Sequence, residues 1–439
     1  AGALLALRLA RRGIPVRLSE RRPDPRTSAP ERGRSINLAL ASRGIRALES
    51  AGVMDRIRPL LIPMRGRMIH ELGAQPALLP YGQRADEVIY SVDRAALNRV
   101  LIEEADRYSE VTLEFGRSCL GVVPERDALR FRDTAAREYE LALGPTIATD
   151  GAGSAIRNSL VAAGHVRVRE DWLDHDYKEL TIPPIDGRPA IDPNALHVWP
   201  RVGFMLIALP NTDATFTATL FLARSGPRSF DCLGHPEAVR QFFAEEFPDA
   251  VALLPNLTRE FDAHPTGQLA TVHAAPWRVG GQVLLLGDAA HAIVPFHGQG
   301  MNAAFEDCAL LDTLLDSHGD WESLFAAFER ARRADAEAIA RMAVENYSEM
   351  RAAVLDPGFV RRRALALELE RHFPDRFIPR YSMIMFHPEI PYGEALRRGT
   401  IQERILLELD QAAAGMAAPV DLPHATALIN ARLPELARA

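Results

Sequence analysis

The stretch from Val283 to Cys308, VLLLGDAAHAIVPFHGQGMNAAFEDC, constrains the fold more than any other part of the sequence. It begins with an apolar run, which predicts a buried strand, and an acid, Asp288, follows at the end of that run. A loop with three glycines comes next and leads into small residues with helical character. This order of strand, glycine-rich loop and helix predicts a site where backbone can lie close to a ligand.

The groups in this stretch suit a flavin. Asp288 can accept a hydrogen bond from a ribityl hydroxyl, while Gly298 and Gly300 keep side chains away from a flat ring. The N–H groups around Met301 and Asn302 open the next helix, whose positive end favours the negative charge of a reduced flavin. The alternative is a glycine-rich loop that only caps a core helix.

The first residues have the pattern of the back half of a dinucleotide-binding βαβ unit. AGALLALRLARRG predicts a helix, and IPVRLSE predicts a strand that ends at Glu20, where an acid can bind an adenosine ribose or simply be solvated. Gly2 corresponds to the third glycine of G-x-G-x-x-G, which allows close helix–strand packing. We therefore expect about 15 to 20 further residues upstream, and weak FAD binding by the chain as written.

Other segments extend this organisation. SVDRAALNRVLIEEADR predicts a helix beginning near Asp93. LALGPTIATDGAGSAIRNSL predicts a strand, a turn at Asp150 and Gly151, and a helix capped by Ser154; the turn either faces a phosphate or only joins two elements. Two β-rich runs separated by PNTD predict an antiparallel hairpin in a second, sheet-based domain, and the chain after Asp307 is predicted to be mostly helical.

Composition excludes several classes of function. The 439 residues are 47% hydrophobic with a formal charge of -7, and the arginines are scattered, which argues against nucleic acid as a partner. Cys119, Cys232 and Cys308 lack CxxC spacing, and His291 and His297 lack HxxxH or HxH spacing, so no metal is predicted. No segment reaches the roughly 18 to 20 apolar residues of a membrane span. We expect a soluble cytoplasmic protein without a membrane anchor.

Gly2, Glu20, DGAGSAIR and GDAAHAIVPFHGQGMN, in this order and at these separations, resemble the FAD-dependent aromatic hydroxylases of the p-hydroxybenzoate hydroxylase fold. Further segments resemble the branch of that family that hydroxylates L-kynurenine: GRSINLALASRG (33–44), MRGRMIH (64–70), IYSVDRAALNR (89–99), YKELTIPP (177–184), NALHVWP (194–200), HPTGQLAT (264–271), ENYSEM (345–350) and FIPRYSM (377–383). The resemblance covers nearly the whole chain.

The resemblance implies an α/β fold with three regions. A Rossmann-like FAD-binding domain would comprise residues 1–63, 91–165 and 270–320. An inserted antiparallel β-sheet substrate domain would comprise residues 64–90 and 166–269, and a helical C-terminal region would follow at 321–439.

The resemblance also implies two sets of site residues. The implied cofactor contacts are Ala1, Gly2, Ser19, Glu20, Arg21, Arg22, Ala39, Arg94, Leu120, Asp150, Asp288, Met301 and Asn302. The implied substrate contacts are Arg67, Tyr81, Asn346 and Tyr381, with a ring pocket of Ile207, Leu209, Phe221, Pro295, Phe296 and His297, and with Glu349 and Met350 beside it.

The residues themselves are consistent with an acidic aromatic substrate. Arg67 lies in an apolar neighbourhood, where a guanidinium suits a carboxylate, although a surface arginine is the alternative. Asn346 lies at helical spacing from Met342 and Met350, so it faces either a ligand or a polar network in the core. Glu349 lies one turn later and can shape the same face.

The implied reaction hydroxylates L-kynurenine to 3-hydroxykynurenine with NADPH and O2, in tryptophan degradation towards quinolinate and NAD. The flavin carries the chemistry, and no acid–base residue is assigned, because the aniline nitrogen already activates the ring. No separate nicotinamide domain is visible, so we expect NADPH to dock transiently. The alternatives are an FAD hydroxylase of another aromatic acid and an inactive flavin-binding fragment. The oligomeric state is left open, with a homodimer as one expectation.

Overall fold

The computed structural model describes residues 1–28, 37–351, 356–412 and 421–436. Residues 33–36 of the GRSINLALASRG segment lie outside these ranges. The strands are β1 Val16–Glu20, β2 Leu38–Leu40, β3 Ile62–Met64, β4 Gly66–Ile69, β5 Ala77–Pro80, β6 Ile89–Val92, β7 Val111–Phe115, β8 Ser118–Val123, β9 Ala128–Arg132, β10 Glu138–Ala142, β11 Thr146–Ala148, β12 Arg167–Ile182, β13 Leu196–Arg201, β14 Phe204–Pro210, β15 Phe216–Ala223, β16 Thr266–Ala275, β17 Arg278–Val279 and β18 Val283–Leu285.

The helices are α1 Gly2–Arg11, α2 Ser42–Ser50, α3 Met54–Ile57, α4 Arg94–Ala105, α5 Ala155–Ala162, α6 Pro236–Glu246, α7 Pro248–Val251, α8 Leu257–Ala263, α9 Asp288–His291, α10 Gly300–Leu314, α11 Trp321–Arg351, α12 Pro357–His372, α13 Arg380–Phe386, α14 Tyr392–Ala412 and α15 Leu422–Arg432. Short 3-10 helices span Arg58–Leu60, Pro124–Arg126, Phe230–Cys232 and Pro295–His297. Among the residues described, none of the helices combines the length and apolar character that crossing a bilayer requires.

The N-terminal region has the parallel pairing expected of a nucleotide-binding fold. β1 pairs in parallel with β7, and β11 pairs in parallel with β18. The predicted caps are confirmed: Asp93 accepts a hydrogen bond from the Ala96 N–H of α4, and Ser154 accepts one from the Arg157 N–H of α5. Gly151 has a φ of +84°, as the predicted turn requires. The Rossmann-like expectation is therefore confirmed.

A seven-stranded sheet, in the order β16-β12-β15-β14-β13-β4-β5, forms the second region. The predicted hairpin is confirmed, because β14 and β15 are antiparallel and the chain reverses between them after Pro210. The first β-rich run is itself two strands, since the chain also reverses between β13 and β14. Gly203 lies in that tighter turn with a φ of +98°.

The sheet has two buried faces because side chains alternate along each strand. Leu206 and Leu220 belong to the face that packs with Phe243 of α6. Met205 and Phe221, one residue away on β14 and β15, belong to the opposite face. That second face packs against the Pro295–His297 turn and α11, so it points towards the predicted ring pocket. The helical character predicted after Asp307 is confirmed, whereas the exact domain boundaries remain a prediction.

Gly66 brings β4 and β5 unusually close together. A Cβ at this position would lie 2.5 Å from the Leu79 carbonyl oxygen and 2.9 Å from the Pro80 Cα. Both are backbone atoms, which cannot move aside without shifting β5. β5 leads directly to Tyr81, whose N–H donates to the Arg65 carbonyl at 3.1 Å. A glycine here is therefore needed for Tyr81 to lie beside Arg67.

We expect Gly66→Ala to lower the free energy of unfolding by about 1 to 3 kcal/mol, because the added methyl group overpacks two backbones. Denaturant unfolding measures the change. Gly144→Ala is the matched control, because nothing lies within 4 Å of a Cβ there and its φ is ordinary. Equal stabilities of the two variants would contradict the packing described for β4 and β5.

Candidate active site

The start of α1 packs closely on the parallel strands. A Cβ at Gly2 would lie 2.7 Å from the Thr149 Oγ1 and 3.2 Å from the Leu18 Cδ1. The prediction that Gly2 allows close helix–strand packing is confirmed. Ala1 lies close by, since a Cβ built on Gly287 would be 3.9 Å from the Ala1 Cβ. The first turn of α1 and the glycine-rich loop after β18 are therefore neighbours.

Three predicted acids follow the carboxyl ends of parallel strands, where cofactors bind in such sheets. Glu20 ends β1, and its carboxylate accepts a hydrogen bond from the Arg22 N–H at 2.9 Å. Asp150 follows β11 and accepts from the Ile156 N–H at 3.3 Å. Asp288 follows β18 and is exposed. No hydrogen bond to the Asp288 carboxylate occurs within the described ranges, so it is available to a ligand.

The glycine-rich loop is tied to β2 by a buried amide. The Asn302 Nδ2 donates to the carbonyl oxygens of Ala39 at 2.9 Å and Gly298 at 2.8 Å, and the Oδ1 accepts from the Ala41 N–H at 2.9 Å. Gly298 has a φ of +63°, and a Cβ there would lie 2.9 Å from the Ala39 Cβ. The Asn302 side chain is therefore structural, and only its backbone N–H remains for a cofactor.

This arrangement fits a flavin nucleotide. Gly298 has no side chain, so its backbone leaves space beside Ala39 that a side chain would fill. The helix α10 begins shortly afterwards, at Gly300. The first N–H groups of a helix have no partner inside the helix, so Met301 and its neighbours present donors and a positive dipole end. The exposed carboxylate of Asp288 lies next to this helix start, 4.0 Å from a Cβ built on Gly300.

The remaining five predicted cofactor residues have fewer contacts with the rest of the candidate site. Ser19 donates to the Glu114 carboxylate at 3.3 Å, and Arg21 and Arg22 are exposed beyond the end of β1. Arg94 is exposed at the first position of α4, and Leu120 lies at an irregularity of β8. In the described part of the chain, no hydrogen bond or ion pair joins Arg94 to another predicted cofactor residue.

A buried carboxylate that the sequence analysis did not anticipate holds the glycine-rich loop after β18 in place. This loop is called the cofactor loop below. Asp307 is fully buried and bonds the Gly287 N–H at 3.1 Å, the His291 Nε2 at 2.7 Å and the Arg332 Nε at 2.6 Å. Burial raises the pKa of Asp307, but His291 and Arg332 outweigh it and hold the pKa at about 2. His291 therefore takes part in this structural network. The only sequence signal was an acid on the apolar side of α10.

Arg67 lies on the other side of the candidate site, on β4. Its side chain is 3% exposed, and its guanidinium carbon lies 5.1 Å from the Tyr381 ring centroid and 6.0 Å from that of Tyr81. The Glu349 carboxylate is 3.4 Å from its Nη1. Burial lowers the pKa of Arg67, but Tyr381, Glu349 and Tyr81 raise it above the ordinary value, so the group stays charged.

The rings around Arg67 form a stack. Tyr381 stacks on Tyr81 with centroids 5.5 Å apart and on His297 with centroids 5.4 Å apart. Burial, together with the charges of Arg380, Arg67 and Arg43, lowers the pKa of His297 to about 3. Burial also raises the pKa of Tyr381. His297 and Tyr381 are therefore neutral near pH 7, and Arg67 is the cation of this stack.

The predicted ring pocket is assembled around the Pro295–His297 turn. The Asn346 Nδ2 donates to the Phe296 carbonyl at 2.6 Å and contacts the Met350 Sδ at 3.5 Å. Phe296 meets Phe221 edge-to-face with centroids 4.9 Å apart. Tyr347, which was not singled out in the sequence although it follows Asn346, stacks on Phe296 at 3.9 Å.

Ile207 and Leu209 of β14 complete the apolar wall. Both lie on the face of the seven-stranded sheet that packs with Phe221 and Phe296. The structure thus brings together every predicted substrate residue around Arg67 or around this turn, although the role of each remains a proposal.

Comparison with known proteins agrees with this geometry. The chain matches the family described as FAD binding domain over residues 1–343. The tetrameric form of 2-methyl-3-hydroxypyridine-5-carboxylic acid oxygenase has a TM-score of 0.64 at 19% identity, covering 81% of this chain and 91% of that chain. P. aeruginosa PqsL in complex with 2-aminobenzoylacetate has a TM-score of 0.62 at 20% identity, covering 80% of this chain and 94% of that chain. The fold is therefore that of FAD-binding monooxygenases.

Closer relatives specify the family. Kynurenine 3-monooxygenase of Xanthomonas axonopodis pv. citri (strain 306) is 45% identical over 438 residues, which cover 99% of this chain and 96% of that protein. Kynurenine 3-monooxygenase of Xanthomonas campestris pv. campestris (strain 8004) is 47% identical over 410 residues, and that of Myxococcus xanthus (strain DK1622) is 45% identical over 434 residues. These alignments cover 93% and 98% of this chain, and 90% and 93% of those proteins. The chain belongs to the kynurenine 3-monooxygenase family.

Asp288→Ala should reduce the flavin content of the purified protein while its melting temperature without flavin stays unchanged. The reason is that this carboxylate is exposed and makes no hydrogen bond that supports the described fold. Absorbance of the bound flavin measures the effect. Asp231→Ala, at an exposed acid of the substrate region, is the control and should keep full flavin content. Normal flavin content in Asp288→Ala would show that this acid does not hold the cofactor.

Asp307→Asn should lower the free energy of unfolding by about 3 to 5 kcal/mol at pH 7, because it leaves Arg332 buried without its charged partner. The folded-state pKa of about 2 lies below the ordinary aspartate value of 3.8. The wild type should therefore lose this contribution as pH falls from about 5 to 2, and the variant should lose less in that window. Denaturant titrations across pH test this, and parallel pH profiles would contradict it.

Proposed function

We propose that this protein converts L-kynurenine, NADPH, a proton and O2 to 3-hydroxykynurenine, NADP+ and water. The family membership supports this reaction, and the buried Arg67 is the observation that carries the substrate assignment. Bound FAD supplies the redox chemistry. The protein's residues bind the substrate, orient its ring and exclude water.

Arg67 has capacity for a ligand carboxylate. It is almost fully buried, yet its Nε has no hydrogen-bond partner among the residues described. A buried N–H without a partner is costly, and a carboxylate supplies two acceptors in the geometry of a guanidinium. Tyr81 and Tyr381 flank the group as neutral rings.

Glu349 gives the same end of the pocket a negative group. At 3.4 Å from Arg67 its carboxylate makes a long contact, and its side chain is 26% exposed. We assign Arg67 to the carboxylate and Glu349 to the ammonium group of an amino-acid substrate. When the substrate binds, Arg67 and Glu349 would replace their long mutual contact with two closer contacts, one to the ligand carboxylate and one to the ligand ammonium group.

The aromatic end of the substrate would occupy the apolar pocket of Ile207, Leu209, Phe221 and Phe296. Asn346 is proposed as a positioning residue for this pocket, because its amide already holds the Phe296 carbonyl. His297 is neutral and buried, so we assign it no acid–base step. The aniline nitrogen donates electron density to the ring carbon beside it, and that carbon needs no separate base to become nucleophilic.

The FAD would be held by the predicted cofactor residues at the strand ends. Glu20 is proposed to bind the adenosine ribose, Asp288 the ribityl chain, and the N–H groups at the start of α10 the electron-rich edge of the ring. NADPH is proposed to dock transiently. A homodimer and a cytoplasmic location are the further expectations for this protein.

Arg67→Ala should raise the kynurenine concentration needed for half-maximal NADPH oxidation at least ~30-fold, since losing one partner of a buried charged pair costs about 2 to 5 kcal/mol. Arg67→Lys should recover only part of the loss, because a point charge cannot reproduce two parallel N–H bonds. Steady-state NADPH oxidation with product analysis measures both variants.

Arg65→Ala is the matched control. Arg65 precedes β4 by one residue and is exposed, so its loss should leave kynurenine binding unchanged. Wild-type affinity in Arg67→Ala would mean that the carboxylate is bound elsewhere. A wild-type protein that hydroxylates a different aromatic acid and not kynurenine would overturn the substrate and leave the flavin hydroxylase class.

A further inference from the structure

The substrate face of the seven-stranded sheet carries a buried hydroxyl that the preceding assignment does not use. Thr219 lies on β15, near the middle of the seven-stranded sheet, and is 1% exposed. Its Oγ1 is buried and has no hydrogen-bond partner in the described part of the chain. By contrast, Thr217 on the same strand accepts a hydrogen bond from the Asn211 Nδ2 at 3.2 Å.

The strand register places Thr219 on the same face as Arg67. Ile69, two residues after Arg67 on β4, pairs with Val198 of β13. Val198 pairs with Ile207 of β14, and Ile207 pairs with Thr219 of β15. Paired residues point to the same face of a sheet, and residues two apart on one strand do so as well. The Thr219 side chain therefore points to the substrate face.

Its position along the sheet matches the far end of the substrate. β4 and β15 are separated by β13 and β14, so about three strand spacings, or ~14 Å, lie between them. A bound aryl amino acid with its carboxylate at Arg67 would lie across the intervening strands, with its ring towards β15. Phe221, two residues after Thr219, contacts the Phe296 ring at the ring end of the pocket.

We propose that the Thr219 hydroxyl accepts a hydrogen bond from the ring amine of the substrate and so selects a 2-aminophenyl ketone over a plain phenyl ketone. This inference rests on the proposed function. A buried hydroxyl without a partner is destabilising, whereas valine has the same shape and suits a strand. A ligand N–H removes that penalty when the substrate binds.

The direction of the hydrogen bond matters for the reaction. A threonine hydroxyl can donate or accept. When it accepts from the amine N–H, the nitrogen lone pair stays conjugated with the ring and keeps the neighbouring carbon nucleophilic. Donation to the nitrogen would withdraw that lone pair and deactivate the ring. Thr219 as an acceptor therefore orients the ring without slowing its hydroxylation.

The test compares two ligands and four forms of the FAD-loaded protein. The ligands are kynurenine and 2-amino-4-oxo-4-phenylbutanoate, which lacks only the ring amine. The proteins are the wild type, Thr219→Val, Thr219→Ser and Thr271→Val. Thr271 is the matched control, since it is 3% exposed and lies on β16 of the same sheet, opposite Asp171. Its Oγ1 has no hydrogen-bond partner among the residues that the structure describes.

Calorimetry should show that Thr219→Val raises the Kd of kynurenine about 3- to 10-fold, the usual value of one hydrogen bond, and leaves the Kd of the phenyl ketone within about twofold. Thr219→Ser should keep the preference for kynurenine, and Thr271→Val should change neither Kd. Without ligand, Thr219→Val should melt at the wild-type temperature or above, because it removes an unpaired buried hydroxyl.

If Thr219→Val changes the Kd of both ligands equally, or changes neither Kd, the proposed role of Thr219 is overturned. A lower melting temperature for ligand-free Thr219→Val together with loss of preference in Thr219→Ser would overturn it as well. The proposed function fails separately: it falls if the wild type shows no kynurenine-stimulated NADPH oxidation. If the wild type hydroxylates kynurenine while Thr219→Val keeps the same preference, only the inference about Thr219 fails.

Discussion

The buried carboxylate of Asp307 is the interaction on which the rest of the site depends. It is fully buried and joins the cofactor loop, through Gly287 and His291, to Arg332 of α11. A buried carboxylate is tolerated only when it is paired and hydrogen-bonded, so these elements hold their positions together. Arg332 also pairs with Glu306 of α10. Arg43 joins Glu306 to the Ile384 carbonyl of α13, which extends the network to the C-terminal helices.

The long helix α11 connects the two halves of the site. Arg332 holds the cofactor loop, and Asn346 on the same helix holds the Phe296 carbonyl of the ring pocket. The two residues are fourteen positions apart, a distance of about 21 Å along the helix. One helix therefore sets the spacing between the glycine-rich loop and the predicted ring pocket, and the loop from Asp288 to Asn302 is held near both ends.

The seven-stranded sheet supplies the opposite wall of the candidate site and carries a charged group near one edge and apolar side chains at its centre. Arg67, near one edge of the sheet, provides a charged end, and the centre of the sheet provides an apolar wall with Thr219 within it. A one-residue slip in register would move all of these side chains to the other face. Gly66 keeps β5 close to β4, and so helps to hold this register at the edge.

The sequence by itself determined the features that depend on short-range chemistry. Gly2 and Glu20, the caps at Asp93 and Ser154, and the loop after Asp288 could be predicted because backbone conformation and strand-end position are encoded locally. The family resemblance added the substrate residues. Only the tertiary structure decided how they meet, since Arg67 and Glu349 are 282 residues apart. The only local signal for the Asp307 network was an acid on the apolar side of α10, and Thr219 had none, because burial and strand register arise only when distant segments pack together.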